Sequence, residues 1–197
     1  ADQQLHIPQT ALQSYNELGW SSGSGDTAVS ALGAGLGTND FVISYVVHPD
    51  IQISDTRFLG FGETGGTGWV LHKITADGTL KLYVKDSDAT AVNFGTASTS
   101  AALSGGETYH IVESFDRSAQ TVTIYINGVS NTVLDISSLS TAATISCDGN
   151  LNFFTYIEYL RGFITEVALW KNTDFDSTEV LELYNDGKPL DALLHTK

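Results

Sequence analysis

A histidine, a glutamate and an aspartate fall within seven residues of the stretch GETYHIVESFDRSAQTVTIYINGV, at His110, Glu113 and Asp116. An imidazole and two carboxylates are the groups that general acid–base chemistry brings within hydrogen-bond reach of one substrate. Spacing argues against that use here. Tyr109, Ile111, Glu113 and Phe115 share one face of a strand, and His110, Val112 and Ser114 share the other. His110 and Glu113 differ by an odd number of positions, so a regular strand points them apart. Asp116 opens a five-residue polar loop, Asp116 to Gln120, where a carboxylate caps backbone N–H groups. Alternation resumes with Val122, Ile124 and Ile126, and Asn127-Gly128 supplies a turn in which positive φ is cheap. The stretch therefore reads as an antiparallel hairpin.

Other chemical signals are sparse. His6, His48, His72, His110 and His195 lack the spacing of metal ligands. No Gly-x-Ser-x-Gly elbow, His-Glu-x-x-His pair or phosphate-binding loop occurs. Asp86 and Asp88 have Asp-x-Asp spacing without the glycine and glutamate of an EF-hand, and read as a turn. Cys147 is the single cysteine, which excludes an intramolecular disulfide, and with no Cys-His motif around it reads as a small apolar residue.

The elements that position these residues are mostly strands. At 197 residues the chain suits one sandwich or two small domains. FVISYVVHPD alternates and ends at Pro49. RFLGFGETGGTGWVLHKI reads as two strands around a glycine-rich turn, GTLKLYVKDSDATAVNFGT as two more, and SNTVLDISSL and LNFFTYIEYLRGFITEVALWKN as later ones. AVSALGAGLGTND reads as loop. Turn signals every 8–12 residues or so indicate a sandwich or barrel. One helix is expected near 177–186: Asp176 is its N-cap, Glu179 completes a capping box, Val180, Leu183 and Tyr184 share a face, and Gly187 and Pro189 follow its end.

Nine Lys and Arg against 23 Asp and Glu give a formal net charge of −14. Such a surface repels a phosphate backbone, so nucleic acid is not an expected partner. No apolar stretch nears the roughly 20 residues that span a bilayer, and no signal peptide is legible.

The order of these pieces resembles the laminin-G-like, concanavalin A-like jelly-roll family. DFVISYVVHPD is similar to its early strand, GETYHIVESFDRSAQTVTIYINGV to its Trp-His-His-Val and Leu-Tyr-Val-Asp-Gly segments, and RGFITEVALWKNTDFDSTEVLELYNDG to its closing signature. Tyr109 stands where that family has Trp, and Thr165 replaces the Asp before Glu166-Val167. The resemblance implies an all-β, two-sheet antiparallel jelly roll with one short C-terminal helix. The jelly roll covers 38–190, after an N-terminal segment, 1–37, expected to add an edge strand, and before a tail, 191–197. It also brings calcium into view as the one candidate cofactor. Asp26, Asp40 and Asp148 are the loop carboxylates that could hold it, weighed against ordinary turn roles.

Glucanases of this fold need two carboxylates converging on one glycosidic bond, and Glu-x-Asp-x-Glu on a strand would announce them. No such triplet exists, and Asp174 and Asp176 sit at the helix entry. No enzymatic activity is expected. Sugar recognition would use an exposed aromatic with amides nearby: Trp69 after Gly65-Gly66-Thr67-Gly68, Trp20 before the Ser/Gly run, and Asn152 with Tyr156. Trp69 suits a loop rim and the core equally, and Trp170 suits the core beside the helix. The tail LELYNDGKPLDALLHTK resembles the end of jelly-roll domains in phage and other virion proteins. The expected function is a non-catalytic virion surface protein, a capsid or tail decoration or adhesion subunit. Its partners would be a capsid or tail protein or further copies of itself. The alternative is a glycan-binding module of a secreted or cell-surface protein, calcium-dependent. SNTVLDISSL, uncharged apart from Asp135, is a candidate unprotected edge for docking.

Overall fold

The computed structural model describes residues 5–7, 26–30, 36–50, 56–61, 68–88, 91–93, 102–145, 150–153 and 162–187. Twelve strands run in chain order: β1 (Leu5–Ile7), β2 (Asp26–Ser30), β3 (Phe41–Pro49), β4 (Thr56–Phe61), β5 (Trp69–Ile74), β6 (Leu80–Lys85), β7 (Ala91–Asn93), β8 (Tyr109–Asp116), β9 (Thr121–Ile126), β10 (Val129–Asp135), β11 (Asn150–Phe153) and β12 (Gly162–Lys171). They form two six-stranded sheets, β1-β12-β3-β8-β9-β10 and β2-β11-β4-β5-β6-β7, with every pairing antiparallel. The architecture is the expected two-sheet sandwich with one short helix. β1 and β2, both from the 1–37 stretch, lie at one edge of each sheet.

The main core fills the space between the sheets. Phe41, Ile43, Tyr45 and Val47 of β3 meet Ile111 and Phe115 of β8, and Val70, Ile74, Leu80, Leu82 and Val84 face them from β5 and β6. β6 shows the period-2 logic plainly: Leu80, Leu82 and Val84 are buried while Lys81, Tyr83 and Lys85 are half-buried. β3 departs from the alternation expected of it, being buried at every position except His48. The reason is that both its faces are covered. Val42 of β3 joins Val112, Tyr125, Ala168, Trp170, Phe175, Val180 and Leu183 in a second apolar cluster on the outer side of the first sheet.

The helix α1 (Ser177–Tyr184) forms that cover. The Asp176 carboxylate accepts from the N–H groups of Thr178 and Glu179, and the Glu179 side chain accepts from the Asp176 N–H, so the capping box is complete. Val180 and Leu183 are buried. The helix stops earlier than Gly187 suggests. Asn185 takes the left-handed C-cap conformation at φ 45°, which asparagine tolerates, and a 3-10 turn carries on to Gly187. The β9–β10 turn at Asn127-Gly128 has φ of 51° and 79°. A Cβ on Gly128 would lie 2.8 Å from Tyr184 Cδ1, so glycine serves both the turn and the seat of the helix.

Candidate functional site

The three polar residues of the β8 hairpin go to three different places. Glu113 turns inward, His110 turns outward, and Asp116 closes β8 next to a turn of four residues, one shorter than the sequence implied. Asp116 Oδ1 accepts from the Ala119 N–H at 2.7 Å and from Ser118 Oγ at 2.8 Å, and these bonds hold its pKa below the usual carboxylate value.

Glu113 enters a buried constellation that the spacing of the histidines concealed. Its Oε1 accepts from Tyr45 Oη at 3.0 Å and its Oε2 lies 2.7 Å from His72 Nε2. His72 Nδ1 donates to the Leu59 carbonyl at 3.1 Å. With Nδ1–H spoken for, the short Nε2–Oε2 contact needs a proton on Nε2 or on Glu113. Either way one shared proton leaves the pair neutral overall. Burial first, then the Glu113 charge and hydrogen bond, raise the Tyr45 pKa well above its ordinary value. All three side chains have zero exposure and lie between the sheets, out of reach of any substrate. A signal was present in the sequence. His72 shares a face with Val70 and Ile74, and Glu113 with Ile111 and Phe115, and polar groups on inward faces require partners.

His110 packs on the opposite side of the first sheet. Its Nε2 pairs with Ser44 Oγ at 2.8 Å, its ring stacks on Tyr184 with centroids 5.9 Å apart, and its Nδ1 is buried without a hydrogen-bond partner. Burial lowers its pKa from 6.5 to about 4. A base whose folded pKa is depressed stays neutral in the fold while the unfolded chain takes up a proton. Stability from this site is therefore full above pH 6.5 and declines as pH falls from 6.5 to about 4. His110→Phe, which keeps the ring on Tyr184, should flatten the melting temperature across that window. An unchanged pH profile would contradict the assignment.

At one end of the sandwich, Thr38, Asn39, Asp40, Arg117, Ser118, Thr141 and Asn172 line an open polar cleft of about 540 Å³. Its polar groups hold one another. Asp40 Oδ1 accepts from the Arg117 N–H at 2.6 Å, the Asn172 N–H donates to the Asp40 carbonyl at 2.8 Å, and Asn39 Nδ2 donates to Asn172 Oδ1 at 2.8 Å. The Arg117 guanidinium is anchored on the carbonyls of Ser140 and Ala143. Burial lowers its pKa, and the charges of Asp86 and Asp40 oppose that shift. A guanidinium lining the same cleft as Asp40 repels a cation, so this donor set does not fit calcium. Among the described residues no three His, Cys, Asp or Glu side chains converge as metal ligands would. Asp26 begins the strand β2 rather than lying in a loop. Asp148 and Cys147 lie outside the described residues.

The outer face of the second sheet carries two of the remaining site positions, Trp69 and Asn152. Trp69 begins β5 opposite Lys85, in the positions that alternate with buried Val70, His72 and Ile74. Asn152 pairs with Gly60, Gly60 with Leu71, Leu71 with Tyr83 and Tyr83 with Asn93, so these five positions form one row across β11, β4, β5, β6 and β7. A second row, Arg57–Lys73–Lys81, runs alongside it. Lys73, Lys81, Tyr83 and Lys85 are half-buried. Gly60, second in the first row, is buried. Among the described residues α1 is the one α-helix, and it lies over the first sheet. Trp69 and Asn152 thus share a face, while Trp20 and Tyr156 lie outside the described residues. Trp170 packs beside the helix, 5.0 Å from the Phe175 ring, as its core reading required.

A sandwich of two antiparallel sheets, one of them covered on its outer side by a short helix, defines a lectin-like jelly roll. The chain belongs to the laminin G family described as the concanavalin A-like lectin/glucanases superfamily, whose model matches residues 22–189. Comparison with curated proteins gives no match. Among solved structures it is similar to the CBM40 of the Ruminococcus gnavus IT-sialidase, bound to α2,3-sialyllactose, at 14% identity and a TM-score of 0.60, over 92% of this chain and 98% of that one. It is similar to the binding domain of Paraclostridial Mosquitocidal Protein 1, at 18% identity and a TM-score of 0.57, over 77% of this chain and 38% of that one. The Trypanosoma rangeli sialidase is a third, at 16% identity and a TM-score of 0.51, where 75% of this chain is covered but only 23% of that one. The chain spans well under half of the last two. No helix among the described residues is long and apolar enough to cross a membrane.

Proposed function

We propose that the chain is a non-catalytic glycan-binding module that works from the outer face of its second sheet, at a cell exterior or surface. The observation that carries this is the placement of Trp69, Asn152, Tyr83 and Asn93 at register positions of one sheet face. An aromatic offers a flat apolar surface to the C–H face of a sugar ring, and an amide both donates to and accepts from hydroxyls. The similarity to a carbohydrate-binding module over nearly the whole of both chains supports the reading. A glycan array probed with the full chain should give selective binding that Trp69→Ala abolishes while the melting temperature holds. Binding that survives Trp69→Ala removes this face from the account, and no binding to any glycan removes the function. The carboxylates described here offer no hydrolytic pair, so sialosides, β-glucans and aryl glycosides should not turn over. Hydrolysis abolished by Glu113→Gln would refute inertness.

A second reading, a capsid or tail decoration or adhesion subunit on a virion surface, is favoured by β10. That strand ends the first sheet, its one charge is Asp135, and Val129 and Val133 are 67% and 59% exposed. An unprotected edge invites another strand. Light scattering separates the two: an oligomer without glycan affinity favours the building block, and a monomer with it favours the module.

A further inference from the structure

β10 closes the first sheet, and β9 is its one strand partner among the described residues. The register fixes which of its backbone groups face outward. The Ile136 N–H donates to the Gln120 carbonyl at 2.9 Å, and the same register runs on through Leu134–Val122 and Thr132–Ile124. Antiparallel pairs alternate between bonded and non-bonded, so the residues in between, Val133 and Asp135, point their N–H and C=O groups away from β9. Native sheets blunt such an edge with lysine, proline or a bulge. β10, VSNTVLD, has no lysine and no proline, and its register shift lies between Ser130 and Thr132, before the open stretch.

Apolar surface collects at the same edge. Val129, Val133 and Leu181 are 67%, 59% and 54% exposed. α1 touches β10, and Leu181 Cδ1 lies 3.2 Å from where a Cβ on Gly128, the neighbour of Val129, would stand. Val133 and Asp135 share one face of the strand. The Ser137 N–H donates to Asp135 Oδ1 at 2.7 Å and holds the carboxylate beside the edge.

We infer that this edge docks an extended segment of another protein, added antiparallel to β10, with an apolar residue opposite Val133 and a Lys or Arg opposite Asp135. Antiparallel pairing then places the base two positions before the apolar residue. The −14 charge of the chain draws a basic segment and disfavours an acidic one. A second copy of the chain is the poorer occupant, because β10 has no base to set against Asp135 and two such chains repel. The docking edge belongs to the first sheet and holds whether or not the second sheet binds glycans.

The test titrates the full chain with a blocked peptide, Gly-Ser-Thr-Arg-Thr-Val-Thr-Gly, and with the same peptide carrying Glu in place of Arg. Amide NMR with hydrogen exchange should show the Val133 and Asp135 N–H groups shifted and protected by the Arg peptide. The Glu peptide should bind weaker by about fivefold or more, since a like-charged pair replaces an opposite one. Asp135→Lys should reverse that preference. Val133→Pro removes an outward N–H and leaves the ladder to β9, so it should abolish binding with its fold checked by melting. Should it not fold, Val133→Lys, a change at an exposed side chain, is expected to weaken the Arg peptide in its place. Glycan affinity should not move in these variants, so the two readings fail separately. Equal affinity for the two peptides, binding untouched by the Val133 variants, or no protection at millimolar peptide overturns the inference. So does concentration-dependent self-association that the same variants abolish, since the occupant would then be a second copy.

Discussion

Replacing Glu113 by alanine is expected to cost about 3–5 kcal/mol of folding stability, as removal of one partner from a buried charged pair does. The carboxylate is the shared partner of Tyr45 Oη and His72 Nε2, and all three side chains have zero exposure. Alanine strands a phenol and an imidazole between two sheets with no water to satisfy them, and leaves a void as well. Glutamine should lose much less. Its amide oxygen still accepts from Tyr45, and its N–H can donate to a neutral His72 whose Nδ1–H remains on the Leu59 carbonyl. Urea unfolding of Glu113→Ala, Glu113→Gln and the double variant His72→Leu/Glu113→Leu separates the contributions. The double variant should recover part of the alanine loss, because an apolar pair leaves only Tyr45 Oη and the Leu59 carbonyl to be satisfied. A loss below about 1 kcal/mol for Glu113→Ala, the value of an ordinary exposed hydrogen bond, would show that the trio is not closed off from solvent.

Phe115→Ala should cost a similar amount, about 3–5 kcal/mol, by a different route. Phe115 and Phe41 are both fully buried and stack with centroids 4.0 Å apart at 19°. Deleting one ring removes its transfer free energy, opens a cavity that close-packed sheets cannot collapse, and ends the stack. The measurement is the denaturation midpoint at unchanged slope. Glycan affinity well below the melting temperature should not move, because Phe115 faces the core and not the outer surface of the second sheet. A loss of less than about 1 kcal/mol, well short of the usual cost of removing a buried ring, would mean that the sheets close over the gap.

Much of this fold is legible in the sequence, and the reasons are local. The β8–β9 hairpin follows from period-2 alternation around a short polar loop, the β9–β10 turn from Asn127-Gly128, and α1 from the Asp176–Glu179 capping box, signals that span a few residues each. β3 is less legible. Its near-continuous burial comes from α1 packing on its outer side, and α1 lies more than 125 residues further along the chain. The same distance effect hid the Tyr45–His72–Glu113 trio, whose members come from three strands in two sheets and have no shared motif. Trp69 and Asn152 were legible as residue types suited to sugar, but not as neighbours on one face. That required the register of β11, β4 and β5. The cation row is hidden for the same reason: Arg57, Lys73 and Lys81 are scattered in sequence and line up only once three strands pair.

The central claim is that ligand meets the outer face of the second sheet, and amide chemical-shift mapping by NMR tests it most directly. On titration with the tightest array ligand, the account predicts shifts at Trp69, Tyr83, Asn93 and Asn152, with α1 and β10 silent. Shifts concentrated instead around the Asp40–Arg117 cleft or along β10 would contradict it.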